Sequence, residues 1–136
     1  MFEHETSIRV RYGETDKMGY LYYGKYAQYY EVGRVEALRS LGITYKELEN
    51  QHGIMMPVMT MQVRYLRPAH YDDLISIKTY IRKRPSKSII FHSELFNEQE
   101  QFINKGEVRL AFIRIEDNQR IDMPEILEQK LAPYFE

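Results

Sequence analysis

Residues Tyr12 to Arg34 read YGETDKMGYLYYGKYAQYYEVGR. An acidic loop broken by glycines, Gly13-Glu14-Thr15-Asp16-Lys17-Met18-Gly19, runs here into a long helical pattern. From about Lys25 the residues Tyr26, Ala27, Tyr30, Gly33, Ala37, Leu38 and Leu41 fall three, four and seven apart, the stripe of a helix with one buried face. Gly33 sits inside that stripe, where glycine costs about 1 kcal/mol relative to alanine, so its expected use is to admit another backbone closely. Gly42 is the expected left-handed cap. Upstream, Thr6 to Tyr12 alternates Ile8, Val10 and Tyr12 with Ser7, Arg9 and Arg11, a half-buried strand. A carboxylate between a strand end and a helix start has a chemical use. The first N–H groups of a helix carry roughly +0.5 of an elementary charge, so base or nucleophile and oxyanion donors lie side by side.

Beyond the helix, Thr44 to Glu47 reads T-x-x-E, a reciprocal capping box opening a short helix that stops near His52-Gly53. Strands are expected at Met55–Leu66, with Pro57 tolerated at its start, and at Leu74–Ile81, Ile89–Phe96 and Val108–Ile115. Asp72-Asp73, Arg84-Pro85-Ser86 and Asn104-Lys105-Gly106 read as their connections. A last helix starts at Asp122-Met123-Pro124-Glu125 and runs to about Leu131. The order β-α-β-β-β-β predicts an α+β fold in which a curved antiparallel sheet wraps around one long central helix. Such a sheet has an exposed edge, and a second copy would cover it.

At 136 residues the chain supports one core and is read as a single domain. A net charge of −1 gives no general attraction to nucleic acid or anionic lipid, so neither is an expected partner. The absence of cysteine excludes disulfides, thiolate nucleophiles and thiolate-bound zinc. His4, His52, His70 and His92 show no metal-ligand spacing, and no metal is expected. With no apolar run of membrane length and no basic-then-apolar leader in MFEHETSIRV, a soluble cytoplasmic protein is the expectation.

The stretch YGETDKMGYLYYGKYAQYYEVGRVEALR resembles the 4-hydroxybenzoyl-CoA thioesterase family of hotdog-fold acyl-CoA thioesterases, whose signature joins a D-x-x-G loop to an aromatic-rich helix start. VRYLRPAHYDDL and RIDMPEIL resemble two later segments of the same family, in the same order. The resemblance implies thioester hydrolysis without a cofactor, coenzyme A being part of the substrate. It implies a homodimer or homotetramer with sites between subunits. Asp16 matches the catalytic carboxylate, acting as nucleophile or general base, and Tyr23 the helix-start position whose backbone N–H polarises the thioester carbonyl. Tyr23 stands where many members carry His and others Tyr, and Lys25 where Asn is common.

Each of these residues also has a plainer reading. Asp16 is otherwise a turn or helix cap, and Glu14, a competing carboxylate closer to the strand and without a match in the family's signature, is expected to support the site from behind. Tyr26 and Tyr30 are otherwise core packing on the helix stripe. Gly19, Tyr20, Tyr22, Lys25 and Tyr26 form the expected substrate-binding set, the tyrosines suiting aromatic or fatty acyl groups equally. Arg82, Arg84, Lys87 and Ser88 are the expected coenzyme A phosphate contacts, against an ordinary charged hairpin. Glu31, Arg34, Glu36 and Arg39 read as a solvated or interface ion-pair face. A non-catalytic module binding acyl-CoA or acyl-carrier protein is the competing function, separated from hydrolysis by the need for Asp16. A dehydratase ranks last, because no histidine stands in the loop or at the helix start.

Overall fold

The computed structural model describes residues 1–136. The strands are β1 (Phe2–Arg9), β2 (Ile54–Met55), β3 (Val58–Tyr65), β4 (Leu74–Ile81), β5 (Ser88–Phe96), β6 (Phe102–Arg114) and β7 (Gln119–Ile121). The helices are α1 (Tyr26–Ser40), α2 (Tyr45–His52) and α3 (Glu125–Leu131). All pairings are antiparallel, in the order β1-β4-β5-β6, with β3 and β2 on the free side of β6 and β7 also pairing with β6. The curled sheet packs its apolar face on α1, the expected α+β architecture.

One transverse row of the sheet shows how the helix is seated. His4 pairs with Thr79, Thr79 with Ser93, and Ser93 with Gly106, so three small residues lie in register across β4, β5 and β6. They form a trough. A Cβ on Gly33 would come within 2.6 Å of Thr79 Oγ1 and 2.7 Å of Ile77 Cγ2, so what Gly33 admits is two side chains of β4 and not the backbone expected there. A Cβ on Gly106 would run into the ring of Tyr30, whose hydroxyl donates to Asn104 Oδ1. Gly42 has φ +85°, the left-handed conformation expected of the residue ending α1.

Several boundaries differ from the sequence reading, each for a physical reason. β1 lies earlier, pairing Phe2 with Ile81 through Arg9 with Leu74, and Tyr12 is turned out to solvent in a single 3-10 turn. The expected Met55–Leu66 strand is split around Met56-Pro57, Pro having no N–H for a ladder bond. Thr44 Oγ1 accepts from the Glu47 N–H at 3.1 Å, but the return bond that would complete the capping box is not made. Asn104-Lys105-Gly106 is not a connection but the interior of β6, and the turn lies at Asn97–Gln101, where Asn97 Oδ1 accepts from the N–H groups of Gln99 and Gln101. β7 was not anticipated. Of the expected ion-pair face, Arg39 pairs with Glu36, and Arg34, 3.9 Å from Glu31, is only 6% exposed and lies in the buried stripe beside the Tyr45 phenol. Tyr29, also unassigned by the sequence, is fully buried.

Candidate active site

The loop between β1 and α1 is tied down at both ends. Arg11 N–H donates to Glu14 Oε1 at 3.0 Å, and Tyr22 N–H donates to the Glu14 carbonyl at 2.9 Å. Leu21 N–H donates to the Ala69 carbonyl at 2.7 Å, stitching the returning limb to the segment after β3. At the tip, Gly19 with φ +82° closes a turn around Asp16. Asp16 Oδ1 accepts from the N–H groups of Met18 at 2.9 Å and Tyr20 at 3.2 Å. Asp16 therefore forms a turn but does not cap α1, which has no side-chain N-cap. Its second oxygen, Oδ2, has no hydrogen-bond partner in the protein.

Asp16 lines a cleft of about 560 Å³. Tyr20, Leu21, Tyr22, Tyr23 and Tyr26 form the wall contributed by the loop and the start of α1. Tyr65, Leu66, Arg67 and Pro68, at the end of β3, form the facing wall, and Lys17 and Met18 complete the rim. The lead into α1 is a 3-10 turn, Tyr23–Lys25, in which the N–H groups of Tyr23 and Gly24 find no acceptor in the protein. Tyr65 fixes this turn by donating its hydroxyl to the Tyr23 carbonyl at 2.9 Å, while its ring packs edge-on against Tyr26 with centroids 5.4 Å apart. Burial pushes the phenol of Tyr26 up, so it stays protonated at neutral pH. Tyr26, 3% exposed, thus serves both as core packing and as cleft wall.

Of the residues singled out in the sequence, Asp16, Tyr20, Tyr22, Tyr23 and Tyr26 come together in this cleft. Gly19 shapes the turn behind it, and Lys25 is not among the lining residues. The basic cluster lies elsewhere. Ser88 pairs with Ala111 and Val58 with Leu110, so Arg82 to Ser88 sit at the end of the sheet opposite Tyr65. There Arg84 bridges Glu128 at 2.7 Å and Ser88 Oγ accepts from Arg109 at 3.3 Å, whereas the Arg82 guanidinium reaches back along the sheet to Glu94, 3.6 Å away, in a polar hollow that Arg64 also lines. Tyr65 to Pro68 were missed as a wall of the site. In the sequence the VRYLRP segment reads only as a strand end and a family-like stretch, and its position opposite Tyr23 follows from the pairing of β3 with β6.

The model of the thioesterase-like superfamily matches residues 10–131. The chain belongs to that superfamily. Among its curated relatives is the acyl-CoA thioester hydrolase YbgC of Escherichia coli O6:H1, 32% identical over 106 residues, or 78% of either chain. A DHNA-CoA thioesterase from Staphylococcus aureus superposes with a TM-score of 0.85 at 30% identity, covering 98% of this chain and 87% of that one. A 4-hydroxybenzoyl CoA thioesterase, crystallised with 4-hydroxybenzoyl CoA, shares the fold with a TM-score of 0.86 at 16% identity, covering 96% and 99%. The thioesterase-like chain thus bears out both the family resemblance and the fold expected from it. No helix of this superfamily member is long and apolar enough to cross a membrane.

Proposed function

We propose that the chain hydrolyses acyl-CoA thioesters to the free acid and coenzyme A, with Asp16 as the reacting carboxylate and the lead-in turn of α1 as the oxyanion site. The observation that carries this is the state of Asp16. One oxygen is held by two backbone N–H groups and the other is unpartnered, at an aromatic-walled cleft also lined by Tyr23, whose N–H, like that of Gly24, has no acceptor. Asp16 Oδ2 attacks the thioester carbon, expelling the coenzyme A thiolate to leave a mixed anhydride that water then opens; alternatively it takes a proton from a water that attacks directly. In either route negative charge develops on the carbonyl oxygen, and the Tyr23 and Gly24 N–H groups are the donors assigned to it. No cofactor takes part.

The active unit in this reading is a pair of chains. β3 is an edge strand exposed on both faces, presenting Val58, Met59, Met61 and Tyr65. Pairing two β3 strands antiparallel about a twofold axis covers this edge and sets the Val58 end of one copy beside the Tyr65 end of the other. The hairpin Arg82–Ser88 lies at the Val58 end, two strands or about 10 Å across the sheet. A second copy therefore brings its basic cluster to the end of the sheet where the first copy opens its cleft. That supports the assignment of coenzyme A phosphates to Arg82, Arg84, Lys87 and Ser88, acting across the pair.

The test is release of free thiol from a panel of aliphatic and aromatic acyl-CoAs, with binding measured in parallel. Turnover of at least one class is expected. Binding without thiol release across the panel would establish the non-catalytic module instead.

A further inference from the structure

We infer that Glu14 is a positioning residue, which through the buried hydroxyl of Tyr29 fixes the Asp16 loop against the start of α1. This rests on the proposed role of Asp16 and adds a residue to it. Tyr29 is fully buried on α1, three residues inside its start, and donates its hydroxyl to Glu14 Oε1 at 2.7 Å. The same Oε1 accepts the Arg11 N–H at 3.0 Å. Meanwhile the Glu14 carbonyl accepts the Tyr22 N–H at 2.9 Å, one residue before the turn that presents the Tyr23 N–H. Glu14 thus touches three things: the chain leaving β1, the chain entering α1, and the face of α1 buried in the core. Asp16 is two residues away, on the only stretch these bonds enclose.

The bonds have a direction that matters. Burial, reinforced by the adjacent Glu14 carboxylate, pushes the Tyr29 phenol well up, so the hydroxyl is a permanent donor at working pH. Glu14 is then needed as an acceptor and not as a charge. Both of its accepted bonds converge on one oxygen, and a glutamine amide oxygen can take the same two. This separates positioning from chemistry. A general base or nucleophile cannot be replaced by an amide, whereas an acceptor can. Packing alone would not depend on the hydroxyl, since phenylalanine fills the space of the Tyr29 ring.

The experiment compares Glu14→Gln, Glu14→Ala and Tyr29→Phe with Asp16→Asn in the full-length protein, reading kcat and KM for thiol release per folded molecule and the melting temperature. Misplacing a reacting group by about 1 Å can cost up to 10²-fold, so Glu14→Ala and Tyr29→Phe are expected to lose about 10-fold in kcat with KM within about 2-fold of the parent. Glu14→Gln is expected to keep kcat within about 3-fold of the parent, because its amide still accepts both bonds. Equal loss in Glu14→Gln and Glu14→Ala overturns the inference in favour of carboxylate chemistry at Glu14. Parent kcat in both Glu14→Ala and Tyr29→Phe, where Asp16→Asn is inactive, overturns it while leaving the proposed function intact. An active Asp16→Asn removes the reading beneath it.

Discussion

Asp16→Asn separates turn-forming from catalysis because the two uses of the side chain fall on different oxygens. Oδ1 accepts from Met18 and Tyr20, and an asparagine Oδ1 can do the same, so the turn with Gly19 survives. Oδ2 becomes an NH2 group, which neither attacks a thioester nor takes a proton from water. Loss of a general base costs about 10²-fold or more, equivalent to about 2.7 kcal/mol in the barrier. Stability should not follow: a melting temperature within about 2 °C of the parent is expected. Asp16→Ala supplies the contrast. It removes both accepted bonds, worth about 1–2 kcal/mol together at this half-exposed site, or roughly 3–8 °C in a domain of this size. The assay is thiol release under saturating acyl-CoA, with calorimetric melting and a binding isotherm on each variant. Asp16→Asn should bind substrate, melt like the parent and turn over at a hundredth of its rate or less. Parent turnover in that variant would reduce Asp16 to a turn residue and refute the assignment.

Met61→Asp, at the centre of β3, would set like charges across the proposed twofold strand pair, and sedimentation should shift from a dimer to a monomer with thiol release falling in parallel; a parent chain that sediments as a monomer sinks the paired-site reading. Lys87→Glu, at a side chain with no ion-pair partner, should raise KM more than it lowers kcat, since distant phosphate contacts supply uniform binding. An unchanged KM there would move the phosphate site, with Arg64 and Arg67 next to be tried. His92 has its pKa lowered, first by burial and then by Arg82. The unfolded chain therefore takes up its proton first, near pH 6.5, so stability falls as pH drops from about 6.5 towards the lower folded pKa. His92→Gln should flatten the melting temperature across that window, and an identical pH dependence in parent and variant would show that other groups set it.

What the sequence disclosed and what it hid follow the reach of each signal. The α1 stripe, the cap at Gly42 and the Asp16 turn are local. They were legible because periods of 3.6 and 2, and the turn preferences of Gly and Asp, act within a few residues. The misreadings share the opposite property. Asn104-Lys105-Gly106 has turn composition, but Asn104 is inside β6 to accept the Tyr30 hydroxyl and Gly106 to make room for the Tyr30 ring, demands set by a helix more than 70 residues earlier. Arg34 looks like half of a surface pair, yet the stripe it occupies is set by the sheet beneath α1.

The same distinction explains why only one wall of the cleft could be read. Asp16, Tyr20, Tyr22, Tyr23 and Tyr26 are neighbours in the chain, so a loop-to-helix motif gathers them with no further information. Tyr65 reaches the site only because β3 pairs with β6 so that Tyr65 meets Asn104, while Asn104 holds Tyr30 one turn along α1 from Tyr26. That register puts the Tyr65 hydroxyl on the Tyr23 carbonyl. A slip of one residue in β3 would turn Tyr65 to the other face of the sheet and free the turn whose N–H groups are assigned to the oxyanion. The trough under α1 therefore bears on chemistry as well as packing. By fixing where Tyr30 and Asn104 meet, it sets the height of β3 against the helix start, and with it the facing wall of the cleft.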